Sequence, residues 1–337
     1  MAKRKSGKKG AKKAKDPVGA YGIAEWYGRL YRTLDDHTRK ELVAFPSVEC
    51  RFLADAPDLA PRSKTLCNKK GGVCSIRNFV SAPDGDGGFR FGSITATCPN
   101  RFLEGQLIFA TIAKVILETE KPLIVKEIPF LQRVLPRDPS LELGLPAAPV
   151  EGELHEEEGE SEAQAAHEDV GRIDMVCVHP ADKREWCAVE LQAVYFSGGA
   201  MSKDFKVIKE YGGNGVPAPG ANRRPDFRSS GPKRLMPQLQ IKVPTLRRWG
   251  KKMAVVVDRP FFDALGEMDN VADVSNADIV WIIVRFDEAP ENGKAIMSID
   301  QVRFTTLENA VEGLTAGFPT TKKEFEHKIQ EKLRKDD

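Results

Sequence analysis

The sequence predicts an α/β protein with one central, mixed sheet flanked by helices. Two wholly apolar runs, Met253-Ala-Val-Val-Val257 and Ile279-Val-Trp-Ile-Ile-Val284, have the length and β-branched content of buried strands. Stretches with helical periodicity are interleaved with them, as a layered α/β arrangement requires. A second pair of runs, Gly171-Arg-Ile-Asp174-Met-Val-Cys-Val178 and Trp186-Cys-Ala-Val-Glu190-Leu-Gln192-Ala-Val-Tyr195, reads as neighbouring strands at about 172–178 and 185–195. The chain carries no internal repeats.

The elements follow in order. Residues 1–16 form a basic tail, with Lys3, Arg4, Lys5, Lys8, Lys9, Lys12, Lys13 and Lys15 and no acid before Asp16. Such a segment lacks the apolar surface to offset ordering entropy and is expected to be disordered. It could add phosphate affinity or simply solubility. Residues 17–104 are rich in Gly and Pro and hold four cysteines, so they read as a loop-rich metal-binding region, with a short helix at Ile23–Tyr27. Residues 105–337 form the second region. Phe102–Thr119 has the periodicity of an amphipathic helix, with Leu107, Ala110, Ile112, Val115 and Leu117 near its buried side, and Pro122 ends it. Leu123–Phe130 reads as extended. Residues 134–170 are a Pro-rich and then acidic insertion, expected to be disordered. Helices are expected at Met201–Tyr211, at Leu235–Trp249 with interruptions at Pro237 and Pro244, at Phe261–Glu267 and at Lys322–Lys335. A last strand is expected at Val302–Thr306.

Composition excludes several classes. With 337 residues, 41% of them apolar, the chain can bury a sizeable core. No stretch is long and apolar enough to span a membrane. No hydrophobic segment follows the basic start, so the sequence does not read as secreted. The expected compartment is the cytoplasm, where the six cysteines need a reason other than disulfides.

Two constellations carry chemistry. In the run from Trp186, alternation puts Cys187, Val189, Leu191, Ala193 and Tyr195 on one face, and Glu190 and Gln192 on the other. An ionised glutamate inside a buried strand is costly unless paired, and a divalent cation shared with Asp174 would pair it. This is how a metal-dependent nuclease presents its site. The plainer alternative is a half-exposed strand with Glu190 and Gln192 in water. The second constellation is Cys50, Cys67, Cys74 and Cys98. In a reducing compartment, four loop cysteines read as a tetrahedral thiolate site for zinc or iron, with Gly71 and Gly72 permitting a tight ligand loop. Unrelated thiols are the alternative, because the spacing matches no standard zinc ribbon. Cys177 and Cys187 read as small buried hydrophobes.

These motifs, in their order, resemble the NotI-type restriction endonucleases of the PD-(D/E)xK superfamily. The likeness is carried by Ile23-Ala-Glu-Trp-Tyr-Gly28, Cys50-Arg-Phe-Leu53, Gly71-Gly-Val-Cys74, Cys98-Pro-Asn-Arg101, Asp174, Glu190-Leu-Gln192 and Phe196-Ser-Gly198. It implies a PD-(D/E)xK nuclease core with an appended domain that holds iron on four cysteines. It also implies a homodimer that cleaves symmetric sites in double-stranded DNA, in type II restriction. By motif, Asp174 and Glu190 would bind Mg²⁺, and Gln192 would stand where most of the superfamily has lysine. Glu127, in Lys126-Glu-Ile-Pro129, would be the auxiliary carboxylate. DNA contact is expected from Arg223, Arg224 and Arg228, then from Lys233, Arg234, Lys242, Arg247, Arg248, Lys251 and Lys252, with Gln238 and Gln240 as possible base readers. Rival readings are a non-enzymatic DNA-binding protein with an inactive nuclease core, and a cytoplasmic metalloprotein whose thiolates hold a redox iron.

Overall fold

The computed structural model describes residues 19–44, 48–56, 59, 65–86, 88–134, 167–197, 201–213, 215–315 and 320–334. The basic tail at 1–16 and residues 135–166 of the expected insertion lie outside them.

The N-terminal region builds a sheet where loops were expected. Its strands are β1 (Ala20–Trp26), β2 (Arg29–Leu30), β3 (Val73–Asp86), β4 (Phe89–Phe91) and β5 (Thr95–Ala96). They pair antiparallel in the order β2-β1-β3-β4, with β5 also on β3. Helices α1 (Asp36–Ala44) and α2 (Arg51–Ala54) lie between β2 and β3. The helix expected at Ile23–Tyr27 is therefore a strand, in which Ile23 pairs with Ile76 and Trp26 with Val73. Five residues are too few for periodicity to separate the two states, and non-local pairing decides. The close approach needs Gly22, where a Cβ would lie 2.8 Å from the Phe79 ring and from Pro219.

The helix expected at Phe102–Thr119 is split. A 3₁₀ segment, Pro99–Gln106, ends where Gly105 and Gln106 turn left-handed at φ +57° and +53°, and α3 (Leu107–Ile116) starts afresh. The strand β6 (Leu123–Val134) then pairs antiparallel with β7 (His167–Val178). Both run further into the expected insertion than its 134–170 limits, because Val134 pairs with His167. β6 and β7 thus run as a long antiparallel pair up to Val134 and His167.

After β8 (Trp186–Leu191) come β9 (Phe196–Ser197), α4 (Ser202–Glu210), β10 (Arg224–Pro225), α5 (Phe227–Ser230), a π-helical turn at Gly231–Leu235 and α6 (Met236–Arg248). The chain continues through β11 (Met253–Asp258), α7 (Arg259–Asp263), β12 (Ile279–Ala289), β13 (Lys294–Thr305), α8 (Leu307–Thr315) and α9 (Lys322–Leu333). The expected short strand near Val302 is the end of the much longer β13, and the short helix begins earlier, at Arg259, because the Asp258 carboxylate caps it. Within α6, Pro237 falls in the first turn, where its missing N–H costs nothing, while Pro244 is accommodated inside the helix.

The central sheet runs β13-β12-β11-β8-β7-β6. β8, β11 and β12 are mutually parallel, and the outer strands are antiparallel to their neighbours. β11 and the first half of β12 are buried throughout, as central parallel strands covered on both faces must be. Ile108, Phe109, Ile112 and Ala113 of α3 share a core with Cys187, Val189, Ala254, Val256, Val280 and Ile282 on one face. Leu239, Val243 and Leu246 of α6, with Ala310 and Leu314 of α8, cover Val255, Val257, Ile279, Trp281 and Ile283 on the other. Cys177 and Cys187 are fully buried partners in the β7–β8 ladder. Among the described residues there are therefore two main sheets and a short β9–β10 ribbon, rather than one sheet alone. Among the described residues, no helix is long and apolar enough to cross a membrane.

Candidate active site

Strand register sets the site. β7 and β8 pair at Met175 and Val189, so one step on, Asp174 faces Glu190. On the other side of β7, Glu127 falls opposite Asp174, between the pairs Lys126–Met175 and Ile128–Ile173. Directly opposite residues of an antiparallel pair share a face. Three acidic residues therefore stand abreast on β6, β7 and β8, but Glu127 has a left-handed backbone (φ +53°), so register sets a shared face only for Asp174 and Glu190.

The row is uneven. Glu190 is 3% exposed, so the alternative of a half-exposed strand in water does not hold. Burial pushes its carboxyl up to about 7; Asp174 adds to the rise, while Lys242 and Gln238 oppose it. Burial also raises the Asp174 carboxyl, against the Leu191 N–H, which donates to Asp174 Oδ2 at 3.1 Å. Glu127 is different. Its backbone is left-handed at φ +53°, rare for a residue with a long side chain, and its exposed carboxylate lies 3.5 Å from Arg172 Nη1. Its charge reaches Asp174, raising that carboxyl slightly, without joining the buried pair.

β8 stops at Leu191, short of the expected 195, so Gln192 lies just past its end; it is 7% exposed and turned onto the adjoining backbone, where Nε2 donates to the Ala193 carbonyl at 2.7 Å. Cys187, Val189, Leu191 and Ala193 form the expected apolar face. Tyr195, expected to continue it, is half-exposed, and the Arg234 guanidinium lies 3.4 Å from its ring centroid.

Lys242, expected on the DNA-facing surface, is instead buried against the carboxylates. Its Nζ donates to Glu190 Oε2 at 2.8 Å and to Gln238 Oε1 at 2.7 Å. The helix places it there: Leu239, Lys242, Val243 and Leu246 make the buried stripe of α6, which packs on the sheet face that carries Glu190. A lysine inside an apolar stripe of helical spacing was the available sequence signal.

The other expected DNA-contacting cations divide. Arg223 is fully buried on Asp204 at 2.5 Å, Arg247 is paired with Asp278 and Glu308, and Lys252 donates to the Ser275 and Ala277 carbonyls. Lys251 is mostly covered, beside Glu185 and the Trp186 ring. Arg224, Arg228, Lys233, Arg234, Gln240 and Arg248 are exposed. Gln238 is half-buried and engaged with Lys242.

The four N-terminal cysteines are neighbours. Cys98 N–H donates to the Cys74 carbonyl at 3.2 Å, and Gly28 N–H donates to Cys74 Sγ at 3.3 Å. Burial, then nearby cysteine charge, raises the Cys67 thiol, and burial pushes the Cys98 thiol up to about 11. Among the described residues, however, no three His, Cys, Asp or Glu side chains converge closely enough to hold a metal ion. The cysteines adjoin one another without forming a closed donor set.

A family model described as restriction endonuclease NotI matches residues 44–144 and 140–297. No curated protein matches the chain.

Proposed function

Because the chain belongs to the restriction endonuclease NotI family, we propose that it is a Mg²⁺-dependent type II endonuclease that hydrolyses double-stranded DNA at the Asp174–Glu190 pair. The observation that carries this reading is the placing of two carboxylates opposite each other across β7 and β8, both raised by burial, with the single ammonium of Lys242 beside Glu190. A hard cation suits that donor chemistry, since Mg²⁺ takes one or two carboxylates and completes its shell with water and phosphate oxygens. The cation would neutralise charge on the scissile phosphate and acidify the attacking water.

The chain's own groups do the rest. The Leu191 N–H fixes the Asp174 carboxylate, and the sheet holds Glu190 opposite it with little freedom to rotate. Glu127 is the auxiliary carboxylate at the outer end of the row. Gln192 stands where the wider superfamily has lysine and can orient a neighbour only by hydrogen bonding, because an amide carries no charge. Arg224, Arg228, Lys233, Arg234, Gln240 and Arg248 offer exposed contacts for phosphates and base edges. Homodimerisation would present two such sites to a symmetric sequence.

We also propose that Cys50, Cys67, Cys74 and Cys98 hold a structural iron or zinc. Their adjacency and the N–H donated to Cys74 Sγ support this reading, which requires the thiols to draw together around the ion.

Digestion of a long DNA of defined sequence with Mg²⁺ tests the main proposal. Discrete fragments are expected, whereas a retarded but intact band would mean a binding protein. Asp174→Ala and Glu190→Ala are each expected to lower cleavage by at least ~10²-fold while DNA binding persists. Full activity in either variant refutes the assignment.

A further inference from the structure

We infer that Lys242, on helix α6, supplies to the reaction centre the positive charge that the segment leaving strand β8 lacks at Gln192. This inference rests on the nuclease reading above and assigns a further residue to the same site. Three observations lead to it. Lys242 Nζ lies 2.8 Å from Glu190 Oε2, so its ammonium stands within one hydrogen bond of a proposed cation ligand. Glu190 and Gln238 take two of its N–H groups, and the third has no protein partner among the described residues. Gln192, just past the end of β8 and proposed to stand in the usual lysine position, already donates its amide to the Ala193 carbonyl at 2.7 Å.

The environment makes this placement expensive unless it serves something. Lys242 is 5% exposed and shares its stripe with Leu239, Val243 and Leu246. Burying an ammonium costs several kcal/mol, and a buried ion pair often adds no more stability than apolar residues of the same volume. A leucine at this position, opposite an apolar partner, would hold α6 on the sheet at less cost. What an apolar residue cannot do is present an N–H to a phosphate oxygen.

The chemistry needs no proton from Lys242. Water adds to phosphorus, one bridging P–O bond breaks, and the departing alkoxide takes a proton from solvent. The water's own protons pass to solvent. Lys242 keeps its three protons throughout, and its third N–H donates to a non-bridging oxygen as negative charge gathers there. Coming from a helix rather than the strand, the ammonium approaches the carboxylates from above the sheet. A motif search along β8 therefore misses it.

A relocation experiment separates this role from that of a structural counter-ion. Cleavage of the same DNA with Mg²⁺ is measured at single turnover for wild type, Lys242→Met, and the double variant Gln192→Lys/Lys242→Met, with folding checked by circular dichroism melts. Lys242→Met is expected to slow cleavage at least ~100-fold, and the double variant to recover at least ~10-fold of that loss by restoring an ammonium from the strand. A folded Lys242→Met within about threefold of wild type overturns the inference, as does a folded double variant no faster than the single one. If Lys242→Met does not fold, Lys242→Arg replaces it. Arginine keeps the ion pair with Glu190 but differs in shape and donor geometry, so a ~10-fold or greater loss at an unchanged melting midpoint supports the role and a wild-type rate overturns it. A wild-type protein that never cuts DNA defeats the nuclease reading itself, and this inference with it. An active wild type with an active Lys242→Met defeats this inference alone.

Discussion

Asp258 closes β11 with a fully buried carboxylate whose two oxygens accept the Ala96 N–H at 2.7 Å and the Phe261 N–H at 2.8 Å. Burial pushes its carboxyl up to about 7, from an ordinary value of 3.8. The folded pKa lies above the unfolded one, so the folded state binds the extra proton between them. The stabilisation is complete below about pH 4, falls as pH rises, and is gone above about pH 7. Thermal melts from pH 4 to 8 should therefore show a declining midpoint, with this group contributing at most ~1.4 kcal/mol per pH unit. Asp258→Asn should flatten that part of the decline. It should also destabilise at pH 4 by ~1–3 kcal/mol, because its amide nitrogen cannot accept an N–H. An unchanged slope in the variant would show that Asp258 is not the titrating group. Legibility differed among single residues. The inward face of Glu190 could be read from alternation, since a carboxylate in an apolar run is visible in one dimension, while Asp174 was visible as the carboxylate opening the run before it. The partners of Glu190 could not. Lys242 is 52 positions away, and nothing local to Lys242 says which strand its helix will cover. The left-handed backbone of Glu127 is also invisible in sequence, because glutamate carries no signal for positive φ.

The turn that delivers Cys74 shows what can be read of an element and what cannot. Gly71 and Gly72 adopt φ +77° and +67°, the left-handed conformations for which their glycines were singled out. Gly72 has a second constraint, since a Cβ there would stand 2.2 Å from the Tyr27 ring. Tyr27 N–H in turn donates to the Gly72 carbonyl at 2.8 Å, which binds the turn to β1. The turn is thus fixed by its two glycines and by Tyr27, and the proposed metal would draw the thiols together on it. On that basis, purified protein should contain about one iron or zinc per chain by elemental analysis. Cys74→Ser should remove the metal and several kcal/mol of folding free energy, since metal affinity is coupled to folding. Metal-free wild-type protein with an unaltered melt would show that these are structural thiols only. The strands around this turn were not legible. β2 and β5 have only two residues each, and β1 has seven with glycine among them. Such segments become strands through non-local pairing, which no window along the chain records. In contrast, β11 and β12 were plain, because a strand buried on both faces is apolar throughout.

At the scale of the whole molecule, one fully buried cation bonds to both main sheets. Arg101 is fully buried at the start of the 3₁₀ segment before α3. Its Nε donates to Glu25 Oε2 on β1 at 2.7 Å, its Nη1 to Glu104 Oε2 at 2.7 Å, and its Nη2 to the Ala295 carbonyl on β13 at 3.1 Å. The guanidinium also lies 4.7 Å from the Phe52 ring centroid and 4.2 Å from that of Phe286, on α2 and β12. One side chain thus touches both main sheets, α2 and its own 3₁₀ segment. Around it, Leu30 N–H donates to the Gly293 carbonyl at 2.8 Å, Arg77 and Arg32 share Glu288, and a single core runs from Phe52 and Leu53 to Val256 and Ile282. The division at 104/105 expected from sequence therefore crosses a shared core, and the cysteine-bearing sheet is joined to the sheet that carries Asp174 and Glu190. Arg101→Met keeps much of the side-chain volume but leaves Glu25 as an unpaired buried charge, held only by the Ser75 hydroxyl at 2.7 Å. Loss of one partner from a buried ion pair costs ~3–5 kcal/mol, and the variant should show that loss in urea unfolding. Because Arg101 joins the sheets, the unfolding should remain one cooperative transition in wild type and split into two in Arg101→Met, followed by tryptophan fluorescence against far-ultraviolet circular dichroism. Trp26 reports on the N-terminal sheet and Trp281 on the central one. Coincident transitions in the variant, with less than ~1 kcal/mol lost, would mean that the shared apolar core alone couples the sheets.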